Sequence, residues 1–173
     1  MNYVQQYPSP LGNIIFASDE NALFGLWFEG QKHFTLPKDY VQKQTPILAQ
    51  TKQWLELYFS REIPPFTPPL APLSTQSTAF RESVWAILRT IPYGRTMSYK
   101  EIAQILAHQR GIAKMSAQAV GNAVGANPIA LLIPCHRVIG SDKSLTGYAG
   151  GLKRKEWLLK LERENSKIQL GIL

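Results

Sequence analysis

Apolar residues in the first third of the chain are grouped into short runs that predict β-strands. One run extends from Gly12 to Ala17 and a second from Ala22 to Phe28. The residues between them, 18–21, are Ser, Asp, Glu and Asn, which are typical of a turn, so the two strands are predicted to form a hairpin. From Pro46 to Phe59 the apolar residues recur with a helical period instead. The pattern therefore predicts a small unit containing a sheet and a helix.

A proline-rich segment follows this unit. Five of the eleven residues from Ile63 to Leu73 are proline, which excludes a helix and favours an extended, semi-rigid connector. The polar run from Ser74 to Ser77 comes next. We therefore predict an N-terminal scaffold domain at residues 1–75, including the connector 63–73, and a C-terminal domain at residues 76–173.

Beyond the connector the pattern becomes helical. Thr78 is placed to cap a helix that ends near Pro92. Ser98 and Glu101 have the spacing of a capping box, in which the serine accepts a backbone N–H and the glutamate side chain accepts from the N–H of the serine. A short second helix is therefore predicted to begin after Ser98.

A third helix is predicted after a loop that spans Ala107 to Met115. Ser116 is its expected cap, and six of the eleven residues from Ala117 to Asn127 are alanine or glycine. Two helices joined by a turn suggest a helix-turn-helix. Each interior glycine costs such a helix on the order of 1 kcal/mol relative to alanine. Close approach of another backbone would explain these glycines, and so would tight packing inside the domain.

Length and composition limit the class of protein. A chain of 173 residues, 45% of them hydrophobic, is long enough for one domain or for a domain with a small companion. Its sequence contains no apolar run long enough to span a bilayer, and its first residues lack the pattern of a secretory signal. One cysteine and three histidines allow no disulfide framework and leave little for a metal site. We expect a cytoplasmic protein with no metal and no cofactor.

Charge is distributed unevenly along the chain. Residues 1–75 carry five basic and six acidic residues, a net charge of −1, whereas residues 76–173 carry fourteen basic and six acidic ones, a net charge of +8. A basic half joined to a neutral half suggests a polyanionic partner, most often a nucleic acid. Many basic proteins bind no such partner, so charge alone leaves the question open.

Candidate chemistry is concentrated around the single cysteine. An apolar run leads to Pro134, Cys135 and His136. Neighbouring side chains of a regular strand point to opposite faces, but Pro134 and the later Gly140 favour a turn that would bring Cys135 and His136 together. A thiol beside an imidazole can become a nucleophilic thiolate, although buried cysteines are usually inert packing residues.

Two later segments add to this hypothesis. Gly147 to Gly151 is a glycine-rich segment that carries the hydroxyl group of Tyr148, and a helix is predicted from Leu152 to Ser166. Glu162 falls at the edge of the apolar stripe of that helix. A carboxylate near the core is expected to have a partner, for which an imidazole is suitable, whereas a solvated Glu162 is the alternative.

At this point the motifs match a known family. The segment from Pro134 to Val138, Pro-Cys-His-Arg-Val, resembles the active-site signature of the O6-alkylguanine-DNA alkyltransferases, or methylated-DNA–protein-cysteine methyltransferases. Further motifs that resemble this family are Phe80-Arg81-x-x-Val84-Trp85, Ile91-Pro92-x-Gly94, Ser98-Tyr99-x-x-Ile102-Ala103, Ala119-Val120-Gly121, Asn127-Pro128, Gly147-Tyr148-x-Gly150-Gly151-Leu152 and Lys155-Glu156-Trp157-Leu158-Leu159. The resemblance covers about Phe80 to Glu162, and the N-terminal part matches only loosely.

The resemblance implies a fold and an activity. The fold would be α/β (α+β), with a ribonuclease H-like N-terminal domain and a mainly helical, winged-helix or helix-turn-helix C-terminal domain. The protein would be a monomer that binds double-stranded DNA through the minor groove and flips the damaged guanine into a pocket. Cys135 would take the O6-alkyl group irreversibly, so that each molecule acts once. O4-alkylthymine is a second candidate substrate.

The same resemblance assigns roles to individual residues. His136 would activate Cys135 as a base through a bound water, and Glu162 would orient and stabilise that histidine. Asn127 would brace the turn that holds the cysteine. Tyr99 would help to rotate the nucleotide and protonate the departing guanine.

The remaining implied site residues form two sets. The substrate pocket would be lined by Tyr148, Val138, Ala149, Gly150 and Gly151. The DNA contacts would come from Ser98, Tyr99, Ala117, Gln118, Ala119, Gly121, Asn122 and Val124. Arg137 belongs to the signature and is expected to be structural.

The chain departs from the family pattern at three points. Gln118 stands where many relatives have an arginine that fills the gap left by the flipped base, and glutamine offers no charge. The loop between the two helices of the helix-turn-helix is several residues longer than usual, and Ala149 replaces a serine of some members. A DNA-binding lesion sensor without chemistry and a cysteine hydrolase of small molecules are the competing functions. Family relatives that act as lesion sensors lack the cysteine, which this chain has as Cys135. A cysteine hydrolase would give no reason for the basic half of the chain.

Overall fold

The computed structural model describes residues 1–72 and 77–169. The described residues divide into two compact units. One consists of residues 1–72 together with Pro128–Ala130, and the other consists of residues 77–127 and 131–169. The predicted domain boundary between residues 75 and 76 lies outside the described residues. The return of the chain to the first unit at Pro128–Ala130 was not predicted from the sequence.

The N-terminal unit is built on a three-stranded antiparallel sheet. Its strands are β1 (Tyr3–Ser9), β2 (Gly12–Ser18) and β3 (Leu23–Phe28), paired in that order. The predicted hairpin of β2 and β3 is confirmed, whereas β1 was missed because its residues are largely polar and half-exposed. The predicted helix is α1 (Pro46–Phe59), which packs against β1 and β2.

The outer edge of β3 is covered by two separate segments of the chain. At Leu23, the N–H donates to the Pro69 carbonyl over 2.7 Å and the Ala71 N–H donates to the Leu23 carbonyl over 2.8 Å. These bonds give part of the proline-rich connector a defined position. Farther along the strand, Leu26 pairs in the same way with Pro128 and Ala130, at 2.9 and 3.0 Å. The strand edge therefore has partners instead of a row of free backbone groups.

The C-terminal unit is mainly helical. Its helices are α2 (Ala79–Leu88), α3 (Tyr99–Arg110), α4 (Ala117–Gly125) and α5 (Leu152–Gln169), and the strands β4 (Met97–Ser98) and β5 (Val138–Ile139) form a short parallel pair. Helices α2, α3 and α4 pack against one another. The buried indole N–H of Trp85 in α2 donates to the Ala123 carbonyl of α4 over 2.8 Å, which ties these two helices together.

The helix caps agree with the sequence, but the length of α3 does not. Thr78, Ser98 and Ser116 all cap their helices, and Ser98 forms the complete capping box with Glu101. Helix α3 continues to Arg110, so the predicted loop from Ala107 was wrong in its first half. The sequence has no breaker there until Gly111, which ends the helix in the left-handed conformation at φ 63°. Helix α5 likewise continues past Ser166 to Gln169.

Helix α4 does not need its glycines for internal packing. A Cβ atom added at Gly121 would lie 3.8 Å from the ring of Tyr99, an ordinary van der Waals distance, and one added at Gly125 would meet nothing within 4 Å. Tight packing inside the unit, one of the two explanations offered by the sequence, is therefore excluded as the reason for these residues.

Candidate active site

The chain enters the site through an unusual backbone conformation. Leu131 follows the segment paired with β3 and has a φ of 69° although it is 1% exposed. The left-handed region costs a leucine roughly 1–2 kcal/mol. Asn127, just before the paired segment, donates from its side-chain nitrogen to the Ile133 carbonyl over 2.7 Å. The loop that precedes the cysteine is therefore held at both ends.

A tight double turn then presents the cysteine. Pro134 has φ −80° and ψ 65°, and the Cys135 N–H donates to the Ile133 carbonyl over 2.8 Å, the geometry of an inverse γ-turn. Cys135 to Arg137 forms one turn of 3₁₀-helix that leads into β5. The predicted turn is confirmed, so Cys135 and His136 are not held on opposite faces of a strand.

Cys135 itself is a buried, protonated thiol in this conformation. Its exposed fraction is 6%. Burial raises the pKa of the thiol, and this effect outweighs the opposing influence of a hydrogen bond from Asn127 and of the charge of Lys155. The thiol therefore stays protonated until a base removes its proton, because a buried charge loses hydration that the neighbouring groups do not fully replace.

A buried carboxylate is paired with the neighbouring histidine. Glu162 on α5 is 1% exposed, and its Oε2 is hydrogen-bonded to His136 Nε2. Its Oε1 accepts from Arg137 Nε at 2.7 Å and from the Gly94 N–H at 3.1 Å. Burial alone would raise the pKa of Glu162, but the His136 and Arg137 contacts together lower it to about 2. Of the two alternatives, the paired glutamate is correct.

This pairing fixes the state of His136. Burial lowers the pKa of its imidazole, although Glu162 acts in the opposite direction, so the ring is neutral at rest. An ionised carboxylate can only accept, so the single ring proton lies on Nε2. The shielded Nδ1 has no hydrogen-bond partner among the described residues. The ring therefore presents one basic nitrogen that is free to take a proton.

Arg137 and Gly94 complete the surroundings of the carboxylate. Besides Glu162, Arg137 donates to the Ile91 carbonyl over 2.7 Å and lies 5.6 Å above the ring centre of Tyr93. Gly94 has φ 78°, and a Cβ atom there would lie 1.9 Å from the Ser166 hydroxyl oxygen. The Ile91-Pro92-x-Gly94 motif was noted in the sequence, but the contact of its glycine with Glu162 was not predicted.

Lys155 is a further buried ionisable residue, to which no role was assigned from the sequence. It is fully buried on α5, and its Nζ donates to the carbonyls of Thr146 and Gly147 at 2.8 and 3.2 Å. Burial lowers its pKa to about 8, and a charge on Cys135 would raise it. Its position in the apolar stripe of α5, three residues before Leu158 and seven before Glu162, was the available signal.

Two tyrosines lie around the same sulfur. Tyr99 donates from its hydroxyl to the Thr146 carbonyl over 2.8 Å, next to Lys155, whose Nζ is 5.7 Å from the Tyr99 ring centre. The Tyr148 hydroxyl is shielded and has no hydrogen-bond partner among the described residues. Burial raises the pKa of both tyrosines, and a charge on Cys135 would raise each further. Cys135, Lys155 and the two phenols therefore form one electrostatic cluster.

The other expected pocket residues lie along the chain on either side of Tyr148. Val138 begins β5 and is fully buried. Ala149 is half-buried, Gly150 is buried, and Gly151 is exposed with φ 93°. The Gly150 carbonyl accepts a hydrogen bond from Arg154 over 3.0 Å, which fixes this end of the glycine-rich segment.

The expected DNA-contact residues differ in exposure. Ala117, Gln118 and Asn122 are exposed on α4, and Ser98, Tyr99, Ala119 and Gly121 are partly exposed. Val124 is 3% exposed and points into the helical core. It therefore lies apart from the exposed surface of α4, because it falls on the side of the helix that packs against α2 and α3.

Residues 1–72 and 77–169 contain no cluster of three or more His, Cys, Asp or Glu side chains that could hold a metal ion. None of the helices within these ranges is long and apolar enough to cross a membrane.

Comparisons with known proteins identify the family of the chain. The profile of the 6-O-methylguanine DNA methyltransferase DNA-binding domain matches residues 79–164, and that of the ribonuclease-like domain of the same proteins matches residues 2–72. The chain is 45% identical over 164 residues to the methylated-DNA–protein-cysteine methyltransferase of Methanosarcina barkeri, covering 94% of this chain and 98% of that one. It is 37% identical over 161 residues to the protein of that name from Haemophilus influenzae, covering 93% and 86%.

A solved structure shows the same architecture. The crystal structure of Mycobacterium tuberculosis OGT in complex with DNA superposes with a TM-score of 0.81 at 38% identity, covering 94% of each chain. Profiles, relatives and structure together span nearly the whole sequence. The chain belongs to the 6-O-methylguanine DNA methyltransferase family.

Proposed function

We propose that the protein repairs O6-alkylguanine in double-stranded DNA by moving the alkyl group irreversibly to Cys135. The observation that carries this proposal is the neutral His136, which follows Cys135 in the chain. Its Nε2 is bound to Glu162, and its Nδ1 has no hydrogen-bond partner among residues 1–72 and 77–169. A basic ring nitrogen on the residue that follows a buried thiol is suited to deprotonate that thiol only when substrate is present.

The reaction is a displacement at the alkyl carbon. The thiol proton passes to His136 Nδ1, through a bound water, as sulfur attacks the carbon and the bond from that carbon to guanine O6 breaks. The electron pair of the broken bond stays on the guanine, which is protonated as it leaves. The product at Cys135 is a thioether, a stable bond that water does not cleave, so each molecule acts once.

The groups around Glu162 help to stabilise His136 when it becomes positively charged during the reaction. As His136 takes the proton it becomes positive, and the ionised Glu162 beside it stabilises that charge. Arg137 and the Gly94 N–H keep the carboxylate ionised and oriented. Arg137 is thus a positioning residue. Asn127 braces the loop and hydrogen-bonds the sulfur.

The tyrosines are suited to the leaving base. Tyr99 carries a phenolic proton near the buried cation of Lys155 and would protonate the departing guanine. The Tyr148 hydroxyl has no hydrogen-bond partner within the described part of the chain. It is suited to a hydrogen bond near O6, because a shielded hydroxyl without a partner is costly until substrate provides one. Val138, Ala149, Gly150 and Gly151 would complete the pocket wall.

The helix-turn-helix is the proposed DNA-binding element. Internal packing does not require glycine at Gly121, which leaves close approach of a DNA strand as the explanation that remains. The exposed Gln118 would occupy the space left by the flipped base, without the charge of an arginine. Residues 76–173 would thus bind DNA and carry the chemistry, residues 1–75 would serve as scaffold, and the protein would act as a monomer.

Mass spectrometry of the Cys135 peptide tests this function. Incubation with duplex DNA containing O6-methylguanine should add one methyl group to that peptide, at one group per protein molecule. Cys135→Ser should abolish transfer and retain DNA binding. Transfer by the serine variant would overturn the assignment of the nucleophile. Multiple turnovers would indicate a hydrolase, and binding without transfer by the unaltered protein would indicate a lesion sensor.

A further inference from the structure

The proposed DNA-binding helix carries no charge of its own. None of the nine residues of α4, Ala117–Gly125, is acidic or basic. Phosphate contacts supply most of the affinity of proteins for DNA and come mainly from lysine and arginine. If α4 lies against DNA, its flanking segments must provide the cations. The preceding helix α3 and the long turn after it contain Lys100, Arg110 and Lys114.

A groove lies between α3, this turn and the start of α4. Its volume is about 360 Å³, and it is lined by Lys100, Ala103, Gln104, Ala107, Ala113, Lys114, Met115 and Ala117. Half of these residues are alanines, so small side chains form much of the groove wall and the wall is low. Ala117 is the first residue of α4, so the groove is continuous with the proposed DNA-binding surface.

The two lysines of the groove are available for a partner. Lys100 and Lys114 are both exposed, and neither forms an ion pair with a described residue. The nearby carboxylate of Glu101 accepts from the Ser98 N–H in the capping box. Arg110, by contrast, lies 5.3 Å above the ring centre of Phe80, a contact that keeps it on α3 and away from the groove.

We propose that this groove receives the sugar–phosphate backbone of DNA beside the lesion, with Lys100 and Lys114 contacting phosphates on its two sides. This inference rests on the proposed function and extends it to residues of the lengthened turn. The low alanine walls let the strand come close, and the two ammonium groups supply the charge that α4 and Gln118 lack. The longer turn is thereby a second DNA-contact element.

Salt dependence of binding provides the test. Affinity for an undamaged duplex is measured over a range of salt for the wild type, Lys100→Gln, Lys114→Gln and the double variant. Each lost phosphate contact should reduce the slope of log affinity against log salt by about 0.9. Between about 50 and about 200 mM salt, the wild type should therefore lose about 3.5-fold more affinity than either single variant. Lys52→Gln, an exposed lysine on α1, is the matched control and should leave the slope unchanged.

A second variant separates shape from charge. Ala113→Leu raises one wall of the groove without altering charge, so it should weaken duplex binding and leave the salt slope as in the wild type. Salt slopes equal to that of the wild type in both lysine variants would overturn the proposal. This is the result expected if the groove binds another protein instead of DNA.

Transfer from free O6-benzylguanine to Cys135 separates failure of this inference from failure of the proposed function. Transfer should proceed at the wild-type rate in every groove variant, because the free base needs no phosphate contact. If the wild type transfers the benzyl group but the salt slopes of both lysine variants equal that of the wild type, only the groove proposal fails. If Cys135 gains no group from the free base or from alkylated DNA, the proposed function itself fails.

Discussion

The two units of the protein differ in the polar groups that they bury. Among the described residues of the N-terminal unit these are Ser18 and Thr51, both uncharged, and Thr51 donates to a carbonyl of its own helix over 2.9 Å. The C-terminal unit buries His136, Lys155 and Glu162. Burial of an ionisable group costs several kcal/mol unless partners compensate. The C-terminal unit therefore loses stability by burying the ionisable groups that the proposed reaction uses. The N-terminal unit carries no proposed chemistry, and the polar groups that it buries are uncharged.

The largest effect is expected from Glu162→Gln, which removes the buried negative charge of the C-terminal unit. The amide can donate to His136 Nε2, which would move the ring proton to Nδ1 and remove the base. We expect the single-turnover rate of transfer to fall by about 10²–10⁴-fold. The matched control is Thr51→Val, which removes a buried polar group of the N-terminal unit and should leave the rate unchanged. Wild-type transfer by Glu162→Gln would show that the carboxylate is dispensable.

The pH dependence of transfer should reflect the C-terminal unit. The raised pKa of Cys135 keeps the thiol protonated at neutral pH, so the rate toward a free alkylated base should depend on a neutral His136 that can take the proton. Below the lowered pKa of His136, the rate should fall about tenfold per pH unit, because a proton on Nδ1 blocks the base. His136→Gln should remove this acid limb. A flat profile in the wild type would contradict the assignment of His136 as the base.

Lys155→Met removes a buried charge of the C-terminal unit and should make the protein more stable. Because the pKa of Lys155 in the fold is about 8 and its ordinary value is 10.5, its burial is fully destabilising below pH 8 and the penalty fades between pH 8 and 10.5. Denaturation at pH 7 should show a gain of about 1 kcal/mol after loss of its two hydrogen bonds is counted. Transfer should slow by about tenfold, since a positive charge near the thiolate is lost. A variant that is less stable at pH 7 would show that the hydrogen bonds outweigh the buried charge.

The smallest expected effect is that of Gly121→Ala. Alanine should stabilise α4 by up to about 1 kcal/mol, since it favours the helix and its Cβ atom meets nothing closer than 3.8 Å. Binding to duplex DNA should weaken several-fold because the added methyl group would hold the strand away. Thermal unfolding and binding titrations measure the two changes. Unaltered DNA affinity would place the DNA contact on another face.

Local signals in the sequence were sufficient for much of the fold. The bounds of α1, the caps at Thr78, Ser98 and Ser116, and the turn at Cys135 depend on neighbouring residues and were predicted correctly. Strand β1 was missed because its polar residues carry no alternation of apolar positions. It forms because β2 offers it a partner, which is a tertiary effect.

The site was predictable where a motif carried it and not where it depends on distant contacts. The pairing of Glu162 with His136 was predicted. The donors to Glu162 from Gly94 and Arg137, which lie 68 and 25 residues away in sequence, were not. The raised pKa of the thiol was not predicted, because burial depends on the whole fold and sequence proximity to a histidine does not reveal it. Lys155 was missed for the same reason.

The pairing of Pro128–Ala130 with Leu26 has a consequence for dividing the protein. These three residues belong by their contacts to the first unit, but by sequence they lie inside the second. A fragment cut at the proline-rich connector would separate a strand edge from its partner and leave unpaired backbone groups on both pieces. The two halves are therefore not interchangeable modules, and evolutionary exchange of either half would have to preserve this small backbone pairing.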